Sequence, residues 1–166
     1  MKGMGNVFIS AAVTLFILSC SELQKYERLA ERYYEMPRAE LAATEKPFTS
    51  PSWELFRSKY NEGFYEEALE SFEDIPVGSS WYDDARFFRG HIYWHNDLNW
   101  KAIDEFKYIV NAPHSRYHDA AQWYLALSYI RVGLPGKAVE LLKEISQNSK
   151  HPYHPQAQQL LQELES

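Results

Sequence analysis

The chain has 166 residues, a formal net charge of −6, one cysteine and 16% aromatic residues. An acidic balance argues against nucleic acid as a partner, and a lone cysteine excludes a disulfide within the chain. The length is short for two full domains but sufficient for one helical unit.

The first element is apolar. Lys2 is followed by the run Val7 to Leu18 and then Ser19-Cys20. This run is too short to cross a bilayer, which needs about 20 apolar residues. A basic start with a short apolar core reads as a secretory signal over residues 1–19. Ile17-Leu18-Ser19-Cys20 resembles a bacterial lipobox, with an aliphatic residue three before the cysteine and a small one directly before it. The resemblance implies that Cys20 is lipidated and becomes the mature N-terminus, held by acyl chains at about 0.8 kcal/mol per buried methylene. The other reading is a cysteine inside an ordinary signal core or a short anchor. Lys2 is the only charge in residues 1–19, so cleavage would move the net charge from −6 to −7.

Residues 20–50 read as a lipidated N-terminus, a helix and a linker. Ser21 to Gln24 forms a capping box, and Leu23, Tyr26, Leu29-Ala30 and Tyr33 make an apolar stripe. This helix should end near Met36, because the residue before a proline avoids helical geometry. Arg38 to Thr44 suggests a short second helix, and Glu45 to Ser50 a linker.

Residues 51–166 carry a repeat. Ala68, Ala102 and Ala138 are spaced by 34 and 36 residues. Phe72, Phe106 and Leu142 follow four residues later in each copy, then Ile75, Ile109 and Ile145 three further on. Gly63, Asp97 and Gly133 precede each alanine by five, and Trp53, Phe87 and Trp123 recur upstream. A period of this length indicates stacked helical hairpins, an architecture that commonly binds proteins. Gly and Asp suit a tight left-handed turn between the two helices of a hairpin. Alanine and the residues four and seven further on share one helical face, and its small size allows close helix approach. Gly90 and Ala126 are the matching small residues on the first helices. Phe56 takes that column in the first copy, so the first hairpin should pack differently. Pro76 to Ser80 and Ala112 to Ser115 are loops. After a break at His151 to Pro155, Gln156 to Glu165 forms a closing helix with Ala157, Leu160-Leu161 and Leu164 inward. The expected helices are 22–36, 51–62, 65–75, 81–96, 99–111, 116–132, 135–147 and 154–164.

The columns resemble the tetratricopeptide repeat (TPR) family, whose pattern is W-x2-L-G-x2-Y, then A-x3-F, then P. The third copy supplies Leu125-Ala126, Tyr129, Ala138 and Leu142. The second supplies Arg89-Gly90, Tyr93, Ala102 and Phe106, with Pro113 near the closing proline. The first supplies Leu55-Phe56, Lys59, Ala68 and Phe72. In all three the tryptophan column is empty and an aromatic stands one residue later. The resemblance covers roughly residues 51–147. It implies an all-α, right-handed TPR-like solenoid of about three hairpins, with an N-terminal helix and a C-terminal capping helix. It further implies a concave groove lined by first helices, where the matching positions are Trp53, Arg57, Tyr60 and Asn61, then Asp84, Phe87, His91, Trp94 and His95, then Trp123, Leu127, Ile130 and Arg131. Aromatic and arginine side chains dominate binding hot spots, so these positions, with Trp94 at their centre, are the candidate protein-binding site. The asparagine-and-lysine set that clamps a C-terminal carboxylate in some family members is absent.

Ala112-Pro113-His114-Ser115-Arg116-Tyr117, followed by Ala120-Ala121 and Trp123-Tyr124-Leu125-Ala126, is similar to the loop-to-helix junction of envelope TPR proteins. These include the lipoprotein of the outer-membrane β-barrel assembly machine and the periplasmic TolA-binding coordinator. The implied role is a lipid-anchored scaffold or adaptor at the bacterial cell envelope, on the periplasmic face of the outer membrane. Its partners would be envelope proteins or peptides, together with the membrane itself. A second reading is an accessory factor in assembly of outer-membrane or secreted proteins, and a third is a metal-dependent hydrolase. The third rests on His91 and His95, and on His114 and His118, each pair four residues apart. The metalloprotease pattern needs Glu after the first histidine, and Ile92 stands there. Asp83-Asp84 and Glu66-Glu67 read as acids at helix starts, favoured by the macrodipole. Ser79-Ser80 has no base nearby in sequence. No catalytic residue and no cofactor is expected.

Overall fold

A computed structural model describes residues 20–39 and 50–165 of the chain. The expected signal at 1–19, the expected helix over 40–44 and the linker over 45–49 lie outside the described residues. Among the described residues the fold is all-helical, with eight helices and no strand. They are α1 (20–33), α2 (Pro51–Glu62), α3 (Tyr65–Phe72), α4 (Tyr82–His95), α5 (Asn99–Val110), α6 (His118–Arg131), α7 (Pro135–Gln147) and α8 (His154–Glu165). Helices α2 with α3, and each neighbouring pair from α4 to α8, pack against one another.

The three short turns share one design. Gly63, Asp97 and Gly133 have φ of 83°, 58° and 75°, the left-handed region. The amide that follows each reaches back five residues: Phe64 to the Lys59 carbonyl, Leu98 to Tyr93 and Leu134 to Tyr129, at 2.9, 2.8 and 2.8 Å. This is the Schellman closure, which satisfies otherwise orphaned carbonyls. Asp97 tolerates the geometry as a short polar residue, and its carboxylate is also held by Arg131 at 2.6 Å.

Small residues sit where helices meet. Ala102, Ala126 and Ala138 are completely buried. A methyl group added at Gly90 would lie 2.8 Å from Phe106 Cε1, so α4 and α5 depend on the missing side chain. The same two helices are joined by a buried carboxylate. Glu105 accepts from Arg86 and from Arg89, each at 2.6 Å. The two guanidiniums lie over the Tyr108 and Phe72 rings at 3.6 and 3.5 Å. Such an enclosed charge is tolerable only because it is paired on both sides.

Some boundaries differ from expectation. Helix α3 stops at Phe72 rather than near residue 75. Pro76 disfavours helical geometry at Ile75, and the chain tightens there instead, with the Ile75 amide donating to the Phe72 carbonyl. Ile75 is still buried, as its column requires. The first pair does differ from the others: its second helix has 8 residues, and Phe56 is buried among Trp53, Tyr60 and Phe72. Helix α1 ends at residue 33, not near Met36, and Arg38 and Ala39 are not helical. The cause lies in what Tyr34 and the residues after it bind.

Candidate functional site

Residues 34–39, here called the strap, leave α1 as irregular chain and cross α6, α4 and α2 in turn. Pro37 fixes one backbone angle, and the residue before it is biased to extended geometry. An extended chain turns alternate carbonyls to one side. The strap's alternate carbonyls are the ones captured. Tyr124 donates to the Glu35 carbonyl at 2.8 Å, Tyr60 to the Pro37 carbonyl at 2.7 Å, and the Asn61 amide to the Ala39 carbonyl at 2.9 Å. The Ala39 amide donates back to Asn61 Oδ1 at 2.9 Å, so one side chain grips both polar groups of a residue. Tyr65 contacts Met36 Sδ at 3.3 Å.

Tyr34 is the anchor. Its ring stacks on Trp94 at 4.4 Å with an interplanar angle of 1°, and meets Tyr124 edge-on at 5.6 Å. Its hydroxyl pairs with His91 Nδ1 at 2.7 Å. Stacking of this kind contributes about 0.5–1.5 kcal/mol beyond the area buried. Burial pushes the Tyr34, Tyr60 and Tyr124 phenols well above the usual tyrosine range, so all three keep their protons. Burial alone holds His91 well below the usual histidine range, and it is neutral. Its Nε2 has no partner among the described residues.

The expectation of an open aromatic groove is therefore corrected. Trp53, Phe87, His91, Trp94, Trp123 and Arg131 are all buried. Tyr60, Asn61, His91 and Trp94 are gathered under the strap, and His95 lies beside it, 4.8 Å from the Tyr65 ring. Arg131 donates to the Trp94 carbonyl at 2.7 Å, and its guanidinium lies 4.7 Å from the Trp94 ring. It also approaches Glu31 of α1 at 3.7 Å. Trp123 meets Tyr33 edge-on and stacks on Tyr153. Three positions belong elsewhere. Trp53 stacks on Trp81 in the core, Arg57 pairs with Glu54 one turn away, and Phe87 stacks on Tyr117 at 4.3 Å. Asp84, in the first turn of α4, is buried and held by Arg116 at 2.6 Å.

Sequence reading missed Tyr124, Tyr65 and the strap itself. The available signal was the cluster Tyr33-Tyr34-Glu35-Met36-Pro37, an aromatic pair leading into a helix breaker. Among the described residues no group of three or more His, Cys, Asp or Glu is placed to hold a metal ion. His91 is committed to Tyr34, and His95 faces Tyr65. No helix among the described residues is long and apolar enough to cross a membrane.

No family model and no curated protein matches the chain.

Proposed function

We propose that this protein is a protein-interaction module of the TPR type, held at a bacterial envelope membrane through lipid on Cys20. The observation that carries the reading is the strap. A groove walled by α2, α4 and α6 holds a non-helical peptide segment largely through hydrogen bonds to its backbone carbonyls. Backbone capture tolerates many sequences, and an aromatic seat adds affinity, which together make a general mode of peptide recognition. The solenoid reading is supported by three turns of one design and by small residues recurring at the helix contacts.

The test is co-purification from solubilised envelope, comparing the wild-type chain with Asn61→Ala. A partner captured by the wild type and reduced on the variant, with folding intact, is the expected result. Capture of no envelope protein by either the wild type or Tyr34→Ala, both folded, would defeat the reading.

A further inference from the structure

We propose that the strap is a built-in occupant of the groove, and that the external ligand is a peptide of the same pattern that replaces it. The pattern is aromatic–any–apolar–proline–any–small, as in Tyr34, Met36, Pro37 and Ala39. This rests on the reading of the chain as a protein-interaction module and specifies the partner and control of that site.

Each position in the pattern has a physical reason. Tyr34 fills a seat whose walls, His91, Trp94 and Tyr124, are buried and belong to helices held by their own cores. Met36 faces Tyr65. Pro37 fixes one backbone angle and presents its carbonyl to Tyr60 without bringing an amide that needs a partner. Ala39 is wholly buried between its two bonds to Asn61, which leaves room only for a small side chain. Glu35 and Arg38 are exposed, so those positions carry no side-chain requirement.

The strap also has the character of a detachable piece. Tyr60, His91, Trp94 and Tyr124 are buried and Asn61 and Tyr65 half-buried, whereas every strap residue except Ala39 is partly or fully exposed. Beyond Tyr34, whose amide still donates to the Glu31 carbonyl of α1 at 3.3 Å, the strap's backbone bonds run to side chains. Clefts remain open at both ends. One is lined by Met36, Pro37, Arg38, Tyr60, Asn61 and Tyr65, the other by Tyr33, Glu35, Trp123, Tyr124, Tyr153 and Gln156. A competitor could enter at either. Because the strap is tethered, it competes at an effective concentration on the order of millimolar, so a free peptide binds weakly until the strap is loosened.

The experiment uses a fluorescein-labelled peptide of residues 31–39 and the full chain, read by fluorescence polarisation. Tyr34→Ala in the protein removes the strap's anchor and leaves the groove intact. The peptide should bind this variant at least about ten-fold more tightly than wild type. Binding should disappear when Asn61→Ala is added to the variant. Equal affinity for wild type and variant, or no binding to a folded variant, overturns the proposal. If Tyr34→Ala does not fold, hydrogen exchange of wild type decides. The Ala39 amide should exchange at least about a hundred-fold faster than the slowest amides of α4 and α6, and exchange as slow as theirs makes the strap an integral part of the fold. Sedimentation should give a monomer. A dimer dispersed by Tyr34→Ala would make the occupant a second copy and overturn closure within one chain. A partner captured equally by wild type and Tyr34→Ala, with no peptide binding, sinks this proposal while leaving the interaction module standing.

Discussion

Trp94 shows how one residue can be both wall and core. It is 3% exposed, stacked under Tyr34, and its carbonyl accepts from Arg131. Trp94→Ala should therefore cost about 3–5 kcal/mol, measured by chemical unfolding, as a buried tryptophan does. An unchanged midpoint would mark it as a surface residue and contradict the packing described. His91 beside it gives the molecule an acid limit. Its folded-state pKa is depressed by burial, so the unfolded chain takes up the proton first as pH falls. The associated stability is fully present above about pH 6.5 and is lost progressively below it, at up to about 1.4 kcal/mol per pH unit. His151, also lowered by burial, acts in the same direction. Unfolding midpoints measured from pH 7.5 to 5 should fall, and His91→Gln should flatten the slope. A wild-type midpoint independent of pH over this range would contradict a buried neutral histidine.

At the scale of elements, the close approach of helix pairs is the feature to perturb. Ala102→Leu and Ala138→Leu should each overpack a filled junction and cost about 1–3 kcal/mol. Gly90→Ala sets a similar strain against Phe106 against a helix-propensity gain of up to about 1 kcal/mol, and should still destabilise. Wild-type midpoints for all three would mean that these helices are not in contact at those positions. The same features explain why so much of the fold could be read from sequence. A left-handed turn narrows the choice to Gly or a short polar residue, and a tight crossing narrows it to Gly or Ala, so both leave marks at fixed intervals. Helix bounds from α2 to α8 accordingly match expectation within about three residues. The strap left no such mark. Its partners lie 22 to 89 residues away, and an irregular segment has no period to detect. The candidate site was thus legible as a set of wall positions, Tyr60, Asn61, His91 and Trp94, but its occupied state was not. Trp53 and Phe87 share the wall columns and were indistinguishable from them, because a helical face does not reveal which of its aromatics turns toward a neighbouring helix.

At the scale of the whole molecule, the proposed membrane attachment has a direct test. Cys20→Ser should abolish incorporation of labelled fatty acid and release the protein from membranes. Retention of that variant through high-salt and carbonate washes would point to an uncleaved N-terminal anchor instead. The contact between the first and last of the described helices has a different consequence. Arg32 and Tyr33 of α1 both reach Glu163 of α8, at 2.7 and 2.6 Å across about 130 residues. The Tyr33 hydrogen bond leads in holding the Glu163 carboxyl below the usual range, and the phenol itself is pushed up to about 12, chiefly by burial. The ion pair is half in solvent and contributes little by itself. Its importance is in how the two ends are joined. In a linear stack of helices each terminus can fray independently, and stability is a sum over neighbours. Bridging the first and last described helices makes fraying at one a loss for both. Removing residues 149–166 should then expose α1 to rapid hydrogen exchange, although no residue in it has been altered.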